Sequence, residues 1–175
     1  MTIGSERCRN RVGILVDEGL KGQVGLDGEE KKRFWKALDE VVRGVPNSEK
    51  IIVAGDFNGH IEVLSGGYGD VHEGYGFGER NEEGAAMLDF ERAFGVVVVN
   101  SSFPKKEDLL VTFRSAIAKT QVDFLLLRRG DRTLCKNCKI IPSENLSTRH
   151  KLLVIDLGLK RDKKRRGGEG RPKIK

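Results

Sequence analysis

An acid and an amide follow a predicted buried strand near the middle of the chain. The run Ile51 to Ala54 is four apolar residues, too short for a helix and typical of a buried strand. Asp56 and Asn58 follow it in the segment Gly-Asp-Phe-Asn-Gly. Alternation along an extended chain places both side chains on one face, where they can hold a hydrated Mg²⁺ or orient an attacking water. The alternative is that both residues simply make the turn.

Two further polar residues accompany predicted apolar strands. Asp123 lies within the strand predicted at 122–127, and an unpaired buried carboxylate is costly, so it needs a partner. A histidine is a suitable one, because the carboxylate fixes the tautomer of the ring and stabilises its protonated form. His150 stands just before the strand predicted at 152–157. The alternatives are a solvent-facing Asp at a strand edge and a structural histidine.

The elements that must position these residues are strands and two helices. Apolar residues at helical spacing follow the Asp27–Glu30 capping pattern and stop at Gly44, and a second helix is predicted from near Asn81 to Gly95. Short apolar runs predict strands at 12–16, 51–54, 96–99, 110–114, 122–127, 139–141 and 152–157. Many strands with two intervening helices favour an α+β sandwich with a mostly antiparallel sheet.

The positive charge of the chain is concentrated at its carboxyl end. The 175 residues include 32 Lys+Arg and 26 Asp+Glu, and residues 160–175 alone hold nine basic and two acidic side chains. We expect a nearly neutral domain over 1–159 and a basic disordered tail at 160–175. That tail is a nuclear-localisation patch, a nucleic-acid arm or a solubilising terminus. Three cysteines and no long apolar run predict an intracellular protein with no membrane segment, whose oligomeric state stays open.

The ordered set of motifs resembles a known superfamily. Gly-Asp-Phe-Asn at 55–58, Thr-Phe-Arg-Ser at 112–115 before the strand of Asp123, and Ser-x-x-His ending at His150 resemble the endonuclease/exonuclease/phosphatase proteins. These are DNase I-like, Mg²⁺-dependent phosphodiesterases. Longer stretches, such as GFGERNEEGAAMLDF and TFRSAIAKTQVDFLLLRR, resemble the retroelement-derived branch of craniofacial development protein 2-like proteins. The resemblance covers nearly everything but the tail and implies a partial DNase I-like α/β sandwich.

The resemblance implies a role for each of four residues. Asp56 would activate or position the attacking water and touch the metal, and Asn58 would hydrogen-bond a phosphate oxygen. His150 would contact the scissile phosphate and stabilise its growing charge, with Asp123 orienting the ring. This division suits phosphoryl transfer, which depends on positioning and electrostatic stabilisation. The implied cofactor is Mg²⁺ and the implied partner is nucleic acid, DNA rather than RNA.

The chain departs from the superfamily pattern in two ways. The superfamily takes its main metal carboxylate, a Glu, and an early Asn from an N-terminal half that this sequence does not contain. Its usual Ser-Asp-His reads Thr148-Arg149-His150, so Arg149 replaces an acid. Because a Mg²⁺ site usually needs one or two carboxylates, we predict a degenerate or inactive phosphodiesterase or endonuclease. The alternative is a non-catalytic nucleic-acid-binding or interaction fragment of retroelement origin.

Three other features are assigned structural roles. Cys135 and Cys138 have the spacing of zinc ligands, but a zinc site needs four ligands and only Cys8 and scattered histidines remain. The segment 64–84 is Gly-rich, and a long loop is predicted in it as far as Arg80, either a mobile substrate-side loop or a plain surface loop. His60 and His72 flank this loop and are predicted to be exposed.

Overall fold

The computed structural model describes residues 12–16, 28–64, 66–145 and 149–158, with only the backbone described for 12–16. The predicted helix cap at Asp27 and the predicted tail at 160–175 lie outside the described residues. The division of the chain at residue 159 therefore stays a prediction. Neither described α-helix is long and apolar enough to cross a membrane.

Two helices and eight strands make up the described part of the chain. The helices are α1 (Gly28–Gly44) and α2 (Glu82–Phe94). The strands are β1 (Val12–Val16), β2 (Lys50–Asp56), β3 (Val96–Val98), β4 (Phe113–Arg114), β5 (Lys119–Thr120), β6 (Asp123–Arg128), β7 (Cys135–Asn145) and β8 (Lys151–Leu157). Short 3₁₀ helices cover Glu107–Leu109 and Arg129–Leu134.

Both helices have the local signals that their sequences predict. On α1 the buried residues are Leu38 and Val42, which are four apart and so share one face. Asn81 caps α2, because its side chain accepts the N–H of Gly84. Gly95 ends that helix with φ +62° and donates its N–H to the Glu91 carbonyl, a left-handed cap that favours glycine.

The central sheet brings the ends of β2 and β6 together. Its strand order is β1-β2-β6-β3, in which β1 and β2 are parallel and the other neighbours antiparallel. The register pairs Asp56, the last residue of β2, directly with Asp123, the first residue of β6. Strands β4 and β5 form one antiparallel pair, and β7 and β8 form another.

The core lies on both sides of this sheet. Four consecutive residues of β6, from Phe124 to Leu127, are buried, which requires cover on both faces of the strand. One hydrophobic cluster joins β2, β3 and β6 to both helices and to β7, and Leu153, Ile155 and Leu157 of β8 pack against it. The predicted α+β class with a mostly antiparallel sheet is therefore confirmed.

Two predicted strands differ in extent from the observed ones. The run 110–114 forms a strand only at Phe113 and Arg114, because the chain before it turns through the 3₁₀ helix. The run 139–141 is the middle of β7, which extends from Cys135 to Asn145. The strand contains exposed lysines and irregularities in its register, so a search for runs of apolar residues finds only its middle.

Candidate active site

Asp56 is the last residue of β2, directly before the loop that follows this strand. Its Oδ1 accepts the N–H of Asn58 at 2.9 Å, so the predicted local turn bond does form. Asn58 has φ +50°, in the left-handed region of backbone conformation. The strand ends at Asp56, so the alternation that predicts both side chains on one face does not extend to Asn58. The described contacts of Asn58 use its main chain, since its carbonyl accepts Asn81 Nδ2 at 3.2 Å.

Asp123 and His150 form a hydrogen-bonded pair beside Asp56. His150 Nδ1 lies 3.1 Å from Oδ2 and 3.3 Å from Oδ1 of Asp123. Because a carboxylate only accepts, Nδ1 carries the hydrogen and Nε2 faces Asp56, whose Oδ2 is 3.9 Å away. The exposed fractions of the side chains of Asp56, Asp123 and His150 are 11, 17 and 21%. The three groups are thus largely shielded and still open to solvent.

The short strand β4 positions the histidine. Phe113 forms a bridge with His150, and its ring meets the imidazole edge-on with 5.0 Å between ring centroids. The carbonyl of the buried Thr112 accepts the N–H of Lys151 at 2.7 Å. The start of β8 is thereby held against β4, and His150 is confined between Phe113 and Asp123.

Two buried polar residues that the sequence did not single out hold Asp123. Thr112 Oγ1 accepts the N–H groups of Val122 and Asp123 at 3.0 and 3.1 Å. Asn100 donates through Nδ2 to the Asp123 carbonyl at 3.0 Å and accepts the N–H of Leu125. The available signals were the Thr that opens the Thr-Phe-Arg-Ser motif and the Asn that directly follows a predicted strand.

Burial and mutual repulsion shape the electrostatics of this site. Burial, together with the nearby Asp123 carboxylate, raises the pKa of Asp56 to about 6, although the Asn58 N–H and His150 oppose the shift. Burial also raises the pKa of Asp123, against the hydrogen bond from His150. A neighbouring cation would favour the ionised form of both acids.

The same three side chains could hold a cation. One ligand atom from each of Asp56, Asp123 and His150 lies within 4.8 Å of the others. Asp123 is already bound to the imidazole, so the Asp56 carboxylate is the group best placed as a ligand. One carboxylate with substrate phosphates and waters is a known minimum for Mg²⁺. The described residues therefore fit a divalent cation.

Arg149 is an exposed cation next to His150 in the chain. It directly precedes His150, and its carbonyl accepts the N–H of Arg114 at 2.9 Å. Arg114 is itself half exposed and lies 3.7 Å from Asp108. Where the resemblance implies an acid, the structure presents a cation to solvent.

The other sequence candidates lie elsewhere. Cys135 and Cys138 are free thiols buried in the core, and burial raises the pKa of both, that of Cys138 to about 12. Among the described residues, the side chains close enough together to hold a metal ion are Asp56, Asp123 and His150, and neither cysteine belongs to that group. Cys8 lies outside the described residues, and His60 is partly buried.

The predicted exposure of His72 is wrong. Its side chain is fully buried, with Nε2 3.2 Å from the Glu62 carbonyl and Nδ1 accepting the N–H of Gly74. Burial lowers its pKa. The glycine-rich segment folds back over the core around this ring instead of extending into solvent.

The fold defines the structural class of the protein. Three solved structures share this fold at 13 to 16% sequence identity, and all three are nucleic-acid-cleaving proteins by name. The chain has the DNase I-like fold of the endonuclease/exonuclease/phosphatase proteins. The resemblance of the motifs to that superfamily is confirmed in the fold.

The individual structural neighbours are all larger than this chain. The endonuclease domain of TRAS1, a telomere-specific non-LTR retrotransposon, matches with a TM-score of 0.51 and 13% identity over 72% of this chain and 49% of its own. The 3'-5' exonuclease NExo of Neisseria meningitidis matches with a TM-score of 0.60 and 13% identity. The match covers 83% of this chain and 61% of the exonuclease. An AP endonuclease of Archaeoglobus fulgidus matches with a TM-score of 0.55 and 16% identity. The match covers 85% of this chain and 62% of the endonuclease.

Two curated relatives share sequence with the chain. Craniofacial development protein 2 of Tragulus javanicus and that of Bos taurus are each 26% identical over 133 residues, 75% of this chain. The chain matches only 23 and 22% of the length of these relatives. No family model matches the sequence. The predicted similarity to craniofacial development protein 2 is confirmed by these matches.

Proposed function

We propose that the chain carries part of a nucleic-acid phosphodiesterase site built on Asp56, Asn58, Asp123 and His150. The observation that supports it is the row of contacts from Asp123 through the His150 ring to Asp56, where two paired strands meet. The nuclease names of the structural neighbours favour a nucleic-acid substrate.

In this proposal the four residues act on one phosphate. In its protonated form His150 donates from Nε2 to a phosphate oxygen, because the Asp123 carboxylate accepts the Nδ1 hydrogen and stabilises the imidazolium. Asp56 orients a water molecule and accepts its proton as the oxygen attacks phosphorus. The ester P–O bond breaks, and the departing sugar oxygen takes a proton from solvent. Asn58 donates its side-chain amide to a phosphate oxygen.

The cofactor of this proposal is Mg²⁺, with Asp56 as its ligand from the described residues. A bound Mg²⁺ would supply positive charge against the phosphate oxygens. The chain's own part is to keep the Asp56 carboxylate in place through the Asn58 N–H and to hold His150 away from the cation through Asp123.

We further propose that activity is weak. Asp56 is the main acid available to a cation in the described site, and the exposed guanidinium of Arg149 next to His150 disfavours a second positive charge. DNA is the preferred substrate in this proposal. The basic residues at 160–175 add non-specific affinity and direct the protein to the nucleus.

The second candidate function is nucleic-acid binding without cleavage. It is favoured by the exposed Arg149, which directly precedes His150 in the chain, and by the nine basic residues at 160–175. Contacts of this kind bind phosphates and release counterions, so their affinity falls steeply with salt.

One experiment separates the two candidates. Purified chain is incubated with supercoiled plasmid DNA, or with single-stranded RNA, in Mg²⁺ or in EDTA, and nicks are counted on gels. Nicking that needs Mg²⁺ and disappears in Asp56→Ala and His150→Ala, but persists in the helix-surface control Asp39→Ala, supports the phosphodiesterase. Salt-sensitive binding with no nicking in any variant supports the binding protein instead.

A further inference from the structure

The side chain of Asn81 connects the helix α2 to the loop that carries Asp56 and Asn58. Its Oδ1 accepts the N–H of Gly84 at 2.8 Å, which is an ordinary helix cap, and also accepts the N–H of His60 at 2.8 Å. Its Nδ2 donates to the carbonyl of Asn58 at 3.2 Å. A cap needs only the first of these bonds, so the other two require a second explanation.

Those two extra bonds fix the peptide groups on both sides of Gly59. The Asn58 carbonyl belongs to the peptide before Gly59, and the His60 N–H belongs to the peptide after it. With both peptides held by one amide, the backbone of Asn58 is kept at φ +50°, a conformation that side-chain-bearing residues rarely adopt. That conformation directs the Asn58 N–H onto Asp56 Oδ1.

A close approach of the loop to the helix makes this arrangement possible. A Cβ on Gly84 would lie 1.9 Å from the His60 carbonyl oxygen, and one on Gly59 would lie 2.9 Å from the Gly84 nitrogen. Both positions therefore exclude any side chain. The His60 carbonyl also accepts the Asn81 N–H at 3.3 Å. The loop and the first turn of α2 are in direct backbone contact, with Asn81 bonded to both.

We propose that Asn81 is a positioning residue for the Asp56–Asn58 loop, acting through the peptide groups around Gly59 and touching neither phosphate nor cation. It sets the direction of the Asp56 carboxylate and of the Asn58 side chain. Its effect on catalysis rests on the proposed function, whereas its effect on the loop does not.

The test compares two variants at opposite ends of the same helix. Asn81→Asp keeps an oxygen for the Gly84 and His60 N–H groups, and Asp is as good a cap as Asn, but it replaces the Nδ2 donor with an oxygen facing the Asn58 carbonyl. The matched control is Gly95→Ala, which strains the left-handed end of α2 without touching the loop. Asn81→Ser, which retains a capping hydroxyl, provides a second variant if Asn81→Asp does not fold.

The first measurement is NMR and needs no enzyme activity. In Asn81→Asp, and likewise in Asn81→Ser, the amide signals of Asn58 and Gly59 are expected to shift. The three-bond coupling that reports φ of Asn58 should leave its wild-type value. In Gly95→Ala these signals should stay in place although the melting temperature falls. Unchanged Asn58 coupling in a folded Asn81 variant overturns the inference.

The second measurement is kinetic. If the wild type cleaves DNA, Asn81→Asp is expected to lower kcat by about 10–100-fold, the size of effect that a misplaced reacting group can have, with KM within about twofold. Loss of stability alone would affect Gly95→Ala equally. A wild type that does not cleave DNA contradicts the proposed function, and the NMR result then still decides the role of Asn81.

Discussion

Two places where described acids are shielded from solvent differ in whether the acids have partners. At the meeting of β2 and β6, Asp56 receives the Asn58 N–H and Asp123 receives the His150 ring. In the middle of α2, Glu91 is fully buried, and neither of its carboxylate oxygens has a hydrogen-bond partner among the described residues. Burial is common to both places, whereas hydrogen bonding and an opening to solvent belong to the first alone.

Burial raises the pKa of the acid at both places, but the consequences differ. It raises the pKa of Asp56 to about 6 and raises that of Glu91 well above its usual value, there with added repulsion from Asp70. Asp56 can still exchange protons and ions with solvent. Glu91 can only be neutral or destabilising. A buried acid therefore indicates a reactive site only where neighbouring groups also orient it, and Glu91 lacks such groups.

The largest expected effect is on activity, which should depend on the site of Asp56, Asp123 and His150 and not on Glu91. His150→Ala is expected to reduce Mg²⁺-dependent DNA nicking by about 100–10,000-fold, the range for removing a group that acts on the reacting proton or charge. Glu91→Gln should leave the rate within about twofold, because the side chain is enclosed in the core. Initial nicking rates at saturating DNA measure both. An equally large loss in Glu91→Gln would remove the distinction drawn between the two acids.

The next effect separates them by stability. Glu91→Met replaces a buried acid without a partner by an apolar chain of similar length, and should raise the free energy of unfolding by about 1–3 kcal/mol. The folded-state pKa of Glu91 is raised, so Glu91 costs no ionisation energy below about pH 4.5, and the folded state loses stability as the pH rises from there through the raised pKa. The gain should therefore grow with pH. Urea unfolding of both proteins from pH 4 to 8 measures this trend, and a gain that shrinks with pH would contradict it.

Elements built on apolar periodicity could be predicted from the sequence. The strand at Val12–Val16 and the caps of α2 at Asn81 and Gly95 are observed where they were expected. Their signals are local, since a cap residue or an apolar run acts within one turn or one strand. Strand β4 was predicted too long and β7 too short, because the extent of each depends on pairing with residues distant in sequence, His150 for β4 and β8 for β7.

The proximity of three candidate residues could be predicted from the sequence, whereas the residues that support them could not. Asp56, Asp123 and His150 were singled out by type and motif, and the structure brings them together. Asn81 was expected only to start a helix, since nothing local shows that its amide reaches back 23 residues to Asn58. Glu91 had a usable signal that was not used, because it stands four residues after Met87 on the buried face of α2.

A smaller effect concerns the response of Asp56 to ions. In cation-free buffer the Asp56 carboxyl should titrate near pH 6, and its contribution to stability, present below about pH 4, should be lost as pH rises through that value. Addition of Mg²⁺ should lower the apparent pKa of Asp56 and leave Glu91 unchanged, because only Asp56 is open to the ion. Carbon-13 NMR of the carboxyl groups measures both. An Asp56 signal indifferent to Mg²⁺ would show that this carboxylate is no metal ligand.

The smallest expected effect tests the cation next to His150 in the chain. Arg149 is exposed, so its repulsion of a divalent ion is screened and should be worth no more than about 1 kcal/mol. Arg149→Asp should tighten Mg²⁺ binding a few-fold, and the gain should shrink between 50 mM and 500 mM salt as the Debye length falls. Arg43→Asp, on the exposed face of α1, is the matched charge change. Isothermal titration with Mg²⁺ measures the affinities of both variants. By contrast, the stability gain of Glu91→Met should not change between these two salt concentrations. Equal tightening by both charge changes would assign the effect to net charge, whereas a gain confined to Arg149→Asp locates it beside His150.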